Sequence, residues 1–162
     1  MVTGHDATGR SVILSDAATP HSRTVADGAV FHELYSSAGT PARLSAQEPE
    51  PTATAVRVPP PQDGTVIRFV DLPPGARSPV HRTESLDYGI VLRGEVWLVV
   101  EGDETALRTG DVVVQRGTSH AWENRSEEPA TMIFVLIAGT FTPELRALLG
   151  DTIELINEPP AQ

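Results

Sequence analysis

Glycine and proline cut this chain into short lengths. Fourteen prolines and thirteen glycines are spread through 162 residues, and apolar residues at helical spacing are scarce. What remains is a series of short apolar runs bounded by turn signals, the pattern of an all-β domain. SVILS (11–15) follows the turn-like DATGR and is expected to belong to an N-terminal hairpin. VFHELYSS (30–37) reads as a further strand. Residues 38–63 are rich in Pro, Ala and polar side chains, so most of this stretch is expected to be surface loop, with an extended piece near AVRV.

The body begins at Thr65. TVIRFVDL (65–72), DYGIVLRG (87–94), EVWLVV (95–100), VVVQRG (112–117), SHAWEN (119–124) and ATMIFVLIAG (130–139) are the main strand candidates, and VHRT (80–83) reads as extended. Between Glu95 and Asp111 the pattern is strand, Gly-Asp turn, short strand, Gly-Asp turn. The run 130–139 is the most apolar and is expected to be buried on both faces. About eight short strands imply a closed barrel or jelly roll, with a mouth lined by alternate residues. TPELRALLG (142–150) is a helix candidate: Thr142 suits the N-cap, Pro143 the first turn and Gly150 the stop. The tail after it is expected to be an edge strand or docked arm that frays. The expected organisation is a single structural domain: an arm with a Pro-rich loop (1–64), a β-barrel (65–141), and a C-terminal helix and tail (142–162).

Charge and inventory narrow the function. A formal net charge of -10 argues against nucleic acid and against an anionic membrane surface. There is no cysteine, so thiolate nucleophiles, thiolate ligands and disulfides are excluded. No G-x-S-x-G elbow, Walker loop or dinucleotide fingerprint occurs. The start MVTGHDATGR lacks the basic and apolar regions of a signal peptide, and Met132 to Gly139 is too short to span a bilayer. The expectation from these absences is a cytoplasmic protein.

The chemistry-bearing residues gather in two stretches. Strand alternation puts His81 and Thr83 on one face and Arg82 on the other. Asp87 follows a short bend, and His120 lies behind a Gly turn in QRGTSHAWEN. Two histidines and a carboxylate can form a facial triad for a divalent metal such as Fe, Zn, Mn or Ni, with open positions for substrate.

Residues 75–124 resemble the cupin superfamily, in particular the small single-domain, RmlC-like jelly-roll cupins. That family's first motif is Gly, five residues, His-x-His, three or four residues, Glu, six residues, Gly. Here Gly75, His81, Thr83, Asp87 and Gly94 keep the spacing, but Thr83 stands for the second His and Asp87 for the Glu. In the second motif, Gly117, His120 and Asn124 keep their spacing, while Gln115 replaces a Pro and the gap after Gly110 is one residue shorter. The resemblance implies a double-stranded β-helix, one bound divalent metal and a homodimer whose N-terminal arm crosses between subunits. It also implies a small-molecule, often polyketide-related, role: decarboxylation, dioxygenation, isomerisation or dehydration of an oxygenated or carboxylate metabolite.

On that reading His81, Asp87 and His120 hold the metal, with His81 and His120 also catalytic. Thr83, Tyr88, Gln115 and Trp122 line the substrate site. Each has a plainer reading. Aspartate reaches about 1.5 Å less than glutamate, so Asp87 can instead cap a turn or pair with Arg82 or Arg93. Thr83 can simply fill a strand position, and Tyr88 and Trp122 can be core. Arg116 and Gln115 can grip a carboxylate at the mouth. Glu84 is expected to face away, and His5, His21 and His32 to be incidental. The alternatives to a metal enzyme are a metal-free small-molecule binder and a protein acting mainly through self-association.

Overall fold

In the computed structural model, residues 1–19, 21–46, 57–150 and 155–156 are described. Eleven strands and one helix follow in chain order among them. They are β1 (Val2–His5), β2 (Ser11–Ser15), β3 (His21–Thr24), β4 (Val30–Ser37), β5 (Thr65–Leu72) and β6 (Ser85–Arg93). Then come β7 (Glu95–Val100), β8 (Asp103–Arg108), β9 (Val112–Arg116), β10 (His120–Glu123), β11 (Ala130–Ala138) and α1 (Pro143–Leu149).

A six-stranded sheet in the order β3-β4-β5-β11-β6-β9 faces a three-stranded sheet in the order β10-β7-β8. The first is built on β11, paired antiparallel with β5 on one side and β6 on the other. Its flanking strands alternate strictly. In β5, Val66, Arg68, Val70 and Leu72 are buried, and the residues between them are half-exposed. In β6, Ser85, Asp87, Gly89 and Val91 turn inward. Val70, Leu72, Val91, Val96, Leu107, Trp122, Ala130 and Met132 form the core between the sheets. The tight turn from β6 to β7 rests on Gly94 at φ 81°, where an added Cβ would stand 2.9 Å from Ala130; only glycine fits.

The strands anticipated from 65 onward form where expected, and β1–β2 is the anticipated hairpin. The N-terminal region is more integrated than an arm, because β4 pairs with β5 and so extends the main sheet. VHRT contributes only an isolated bridge at His81, not a strand. His21 and His32 are strand residues, and His32 Nε2 lies 3.1 Å from Asp71 Oδ2. The run 130–139, expected to be buried on both faces, is buried only at Ala130, Met132 and Leu136; the other residues of β11 are half-buried and Gly139 is exposed. Part of the 38–63 stretch is also buried: Val58 is 9% exposed. The start of AVRV and most of the tail lie outside the described residues; Ile156 N–H donates to the Arg82 carbonyl at 3.0 Å. The helix has the expected cap, with Thr142 Oγ1 accepting from Leu145 N–H and Pro143 in the first turn.

Candidate functional site

A cavity opens between the two sheets, with an empty volume of about 850 Å³ including its mouth. Phe31, Val70, Leu72, Trp122, Phe134 and Leu136 give it apolar walls, and Val58 and Ile156 close in from outside the strands. Seven polar side chains share it: Asp27, Arg68, Ser78, His81, Thr83, Asp87 and His120.

The loop before β6 is stitched to β10. Ser78 N–H donates to the Trp122 carbonyl, and His81 and His120 exchange both main-chain hydrogen bonds, each at 2.9 Å. This places the two imidazole rings side by side, centroids 4.2 Å apart and planes at 52°. The turn into β10 depends on Gly117, at φ 61°, where a Cβ would meet the Phe141 ring at 2.5 Å. Trp122 then packs edge-on against His120 at 5.6 Å and against Phe134 at 5.2 Å.

Hydrogen bonds fix the tautomers. His81 Nδ1 lies 2.9 Å from the Pro79 carbonyl, and His120 Nδ1 lies 2.9 Å from the Thr118 carbonyl. A carbonyl only accepts, so each Nδ1 carries the proton and each Nε2 keeps its lone pair. Gln115 stands behind His120, its amide 3.1 Å from Nδ1 and also against Thr118. Burial lowers the pKa of both histidines. For His120 the charge on His81 adds to it, and the Thr118 carbonyl opposes it, leaving a value of about 4. Both rings are therefore neutral at pH 7.

Asp87 is driven the other way. Burial raises its pKa to about 6, against the smaller pull of the Ser85 hydroxyl and the Arg68 charge. The single Ser85 proton is shared with Thr83 Oγ1, 2.8 Å away, and Asp87 Oδ1 has no hydrogen-bond partner. Arg68 and Glu33 form a buried pair, Nε to Oε1 3.1 Å, whose alignment is too poor for a hydrogen bond. Arg68 also donates from Nη1 to the Val58 carbonyl and from Nη2 to the Arg57 carbonyl, and lies over the Phe31 ring.

Of the residues singled out from sequence, His81, Thr83, Asp87, His120 and Trp122 come together around the cavity. Gln115 is 4% exposed and supports His120 rather than a mouth. Tyr88 sits on the opposite face of β6 from Asp87, so it does not line the cavity. Arg116 is exposed on β9 and turned away from Gln115. Arg68 and Glu33 were not anticipated. The signal was there in part, because alternation along TVIRFVDL sets Arg68 in phase with Val66, Val70 and Leu72. Asn124 is structural: its Nδ2 donates to the Leu72 and Glu128 carbonyls, and its Oδ1 accepts from Ser126.

The expected metal centre does not assemble as a triad. Among the described residues no three His, Asp or Glu side chains converge so as to hold an ion. Two imidazole nitrogens are available, and Asp87 does not join them as a third donor. The one-methylene shortening from Glu to Asp is the physical reason offered by the sequence.

A family model for the cupin domain matches residues 68–136. Cupin-domain-containing oxidoreductase fogC of Aspergillus ruber is 39% identical over 145 residues, covering 84% of this chain and 70% of that protein. This chain belongs to the cupin family. A second relative of the cupin, phomopsin biosynthesis cluster protein C' of Diaporthe leptostromiformis, is 41% identical over 143 residues, covering 84% of this chain and 76% of that protein. A cupin 2 conserved barrel domain protein from Salinispora arenicola superposes with a TM-score of 0.53 at 19% identity, over 79% of this chain and 90% of that one. That likeness shows the fold, an all-β jelly roll. No helix among the described residues is long and apolar enough to cross a membrane.

Proposed function

We propose that this cupin is an enzyme of small-molecule biosynthesis that moves protons on an oxygenated substrate held in the barrel, an isomerisation or dehydration. The observation that carries this is the pair of neutral imidazoles, each with Nδ1–H on a main-chain carbonyl and Nε2 unused, in one cavity with a carboxyl of pKa about 6. A neutral Nε2 accepts a proton from substrate. Asp87, part protonated near neutrality, is suited to return one at another atom. Groups whose environments drive their pKa values apart divide acid and base roles in this way. The apolar walls exclude water and strengthen each interaction. The relatives from Aspergillus and Diaporthe, one named for a biosynthesis cluster, support the small-molecule role.

The test is a comparison of small molecules in the source organism carrying wild type, His81→Ala or His120→Ala. Each variant is expected to accumulate one shared precursor and lose one shared product. Unchanged profiles in both variants would contradict the reading.

The word oxidoreductase in the Aspergillus relative's name favours a second reading, in which a divalent ion on His81 and His120 supplies redox chemistry. That reading needs a third donor from solvent or substrate, because the described residues offer no group of three.

The cupin also presents a surface for a second copy. On the outer face of the main sheet, Phe69, Ile133, Ile90 and Val112 form one cross-strand row, and Ile67, Val135, Tyr88 and Val114 form the next. Val112 and Val114 are 59% and 54% exposed. Apolar, nearly uncharged rows let two chains of the same net charge approach, and a two-fold dimer needs a face that matches itself.

A further inference from the structure

Arg68 and Asp87 are two buried, oppositely charged groups on one cavity, and they do not touch. They are 3% and 5% exposed and both line the cavity. The ion pair of Arg68 is with Glu33 instead. Each of its terminal nitrogens carries two N–H groups, and one of each goes to a carbonyl, of Val58 and of Arg57. Asp87 Oδ1 has no hydrogen-bond partner. A buried carboxylate oxygen without a donor is rare in proteins unless a ligand supplies one.

We propose that the space between Arg68 and Asp87 is a subsite for a neutral hydroxyl group: a phenol, enol or alcohol on an apolar body. A hydroxyl is both donor and acceptor. Its O–H donates to Asp87 Oδ1, and its oxygen accepts from an Arg68 N–H. Other groups fit less well. An ether has no proton for Asp87. A carboxylate also has none, and it meets the Asp87 carboxylate beside a guanidinium already paired with Glu33. The body of the ligand lies against Phe31, Trp122 and Phe134, whose edge-on packing at 5.2 Å between Trp122 and Phe134 suits a flat ring. This narrows the oxygenated or carboxylate substrate expected from the sequence to the hydroxylated, uncharged part of that class. It rests on the proposal that the cavity is the substrate site.

The test is titration calorimetry at pH 7 with three probes: 2-naphthol, 2-methoxynaphthalene and 2-naphthoate. Wild type is expected to bind 2-naphthol at least ~10-fold more tightly than either other probe, about the value of one charge-assisted hydrogen bond. Asp87→Leu, branched at the same carbon and without an acceptor, is expected to bring 2-naphthol to the level of 2-methoxynaphthalene while keeping the latter's affinity. If Asp87→Leu does not fold, Asp87→Ala serves for the same ratio. Preference for 2-naphthoate, a ratio unchanged by the substitution, or no binding of any probe at millimolar concentration would overturn the subsite. The two readings fail separately. Loss of product in His81→Ala and His120→Ala with no hydroxyl preference removes the subsite alone; a hydroxyl preference with unchanged metabolites removes the proton-transfer function alone.

Discussion

His81 and His120 hold each other in place twice over: their main chains exchange two hydrogen bonds at 2.9 Å, and their rings lie 4.2 Å apart. Neither residue is in the same strand as the other, so the pair exists only because the loop before β6 is bridged to β10. The rings cannot both be protonated at that distance without repulsion, and burial already disfavours the charge. The site is therefore a neutral pair of imidazoles facing an apolar space.

The pH dependence of stability separates Asp87 from His120. The pKa of Asp87 rises from 3.8 to about 6, so its contribution is fully present below 3.8 and is lost as pH rises through 6. The pKa of His120 falls from 6.5 to about 4, so its contribution is present above 6.5 and is lost as pH falls toward 4. Each is about 3 kcal/mol at most, and they oppose each other across the same window. Thermal melts of wild type are expected to change little between pH 6.5 and 4. Asp87→Asn removes one side of the balance, so its melting temperature should fall on acidification through that range. A variant as flat as wild type would show that Asp87 is not the compensating group.

Removing Glu33 should cost more than removing the whole pair. Glu33→Gln leaves Arg68 charged and 3% exposed, which is expected to destabilise by roughly 3 kcal/mol or more. Glu33→Leu with Arg68→Met replaces both charges by apolar volume and is expected to recover most of that loss. Urea unfolding of the three proteins measures this directly.

Val114 is 54% exposed, so Val114→Glu has little to disturb inside one subunit. It places a charge at the β9 end of the outer apolar row, opposite Tyr88. Light scattering at micromolar concentration should read a dimer for wild type and a shift toward monomer for the variant, with the melting temperature of dilute samples nearly unchanged. A monomeric wild type would contradict the surface assigned to the second copy.

Metal content bears on the two-donor site. Two imidazoles and no third side chain are expected to hold a divalent ion weakly, so untagged protein purified without chelator should carry well under one equivalent by mass spectrometry. One tight equivalent, lost in His120→Ala, would favour the redox reading.

Much of the fold was legible because strands announce themselves by alternation and turns by glycine. TVIRFVDL, EVWLVV and the capped TPELRALLG form the elements their residues demand. The motif spacing Gly75–His81–Thr83–Asp87 likewise led to a real cavity. What the sequence hid is which partners meet across it. Tyr88 follows Asp87 directly, yet the pleat sends it to the outer face. Gln115 replaces a proline and turns inward to hold His120. Arg68 and Glu33 lie 35 positions apart, and only the pairing of β4 with β5 brings them together. The reach of Asp87 is a matter of one methylene, which spacing alone does not record.

Everything proposed for the cavity depends on His81 and His120 keeping Nε2 unprotonated. Two-bond 15N–1H NMR correlation of histidine-labelled protein at pH 7 reads this directly, with the two cavity histidines identified by substitution. Both rings are expected to be neutral and protonated at Nδ1, with His120 titrating near pH 4. Protonation at Nε2 in either ring, or a His120 that titrates near 6.5 as a solvent-exposed histidine does, would contradict this.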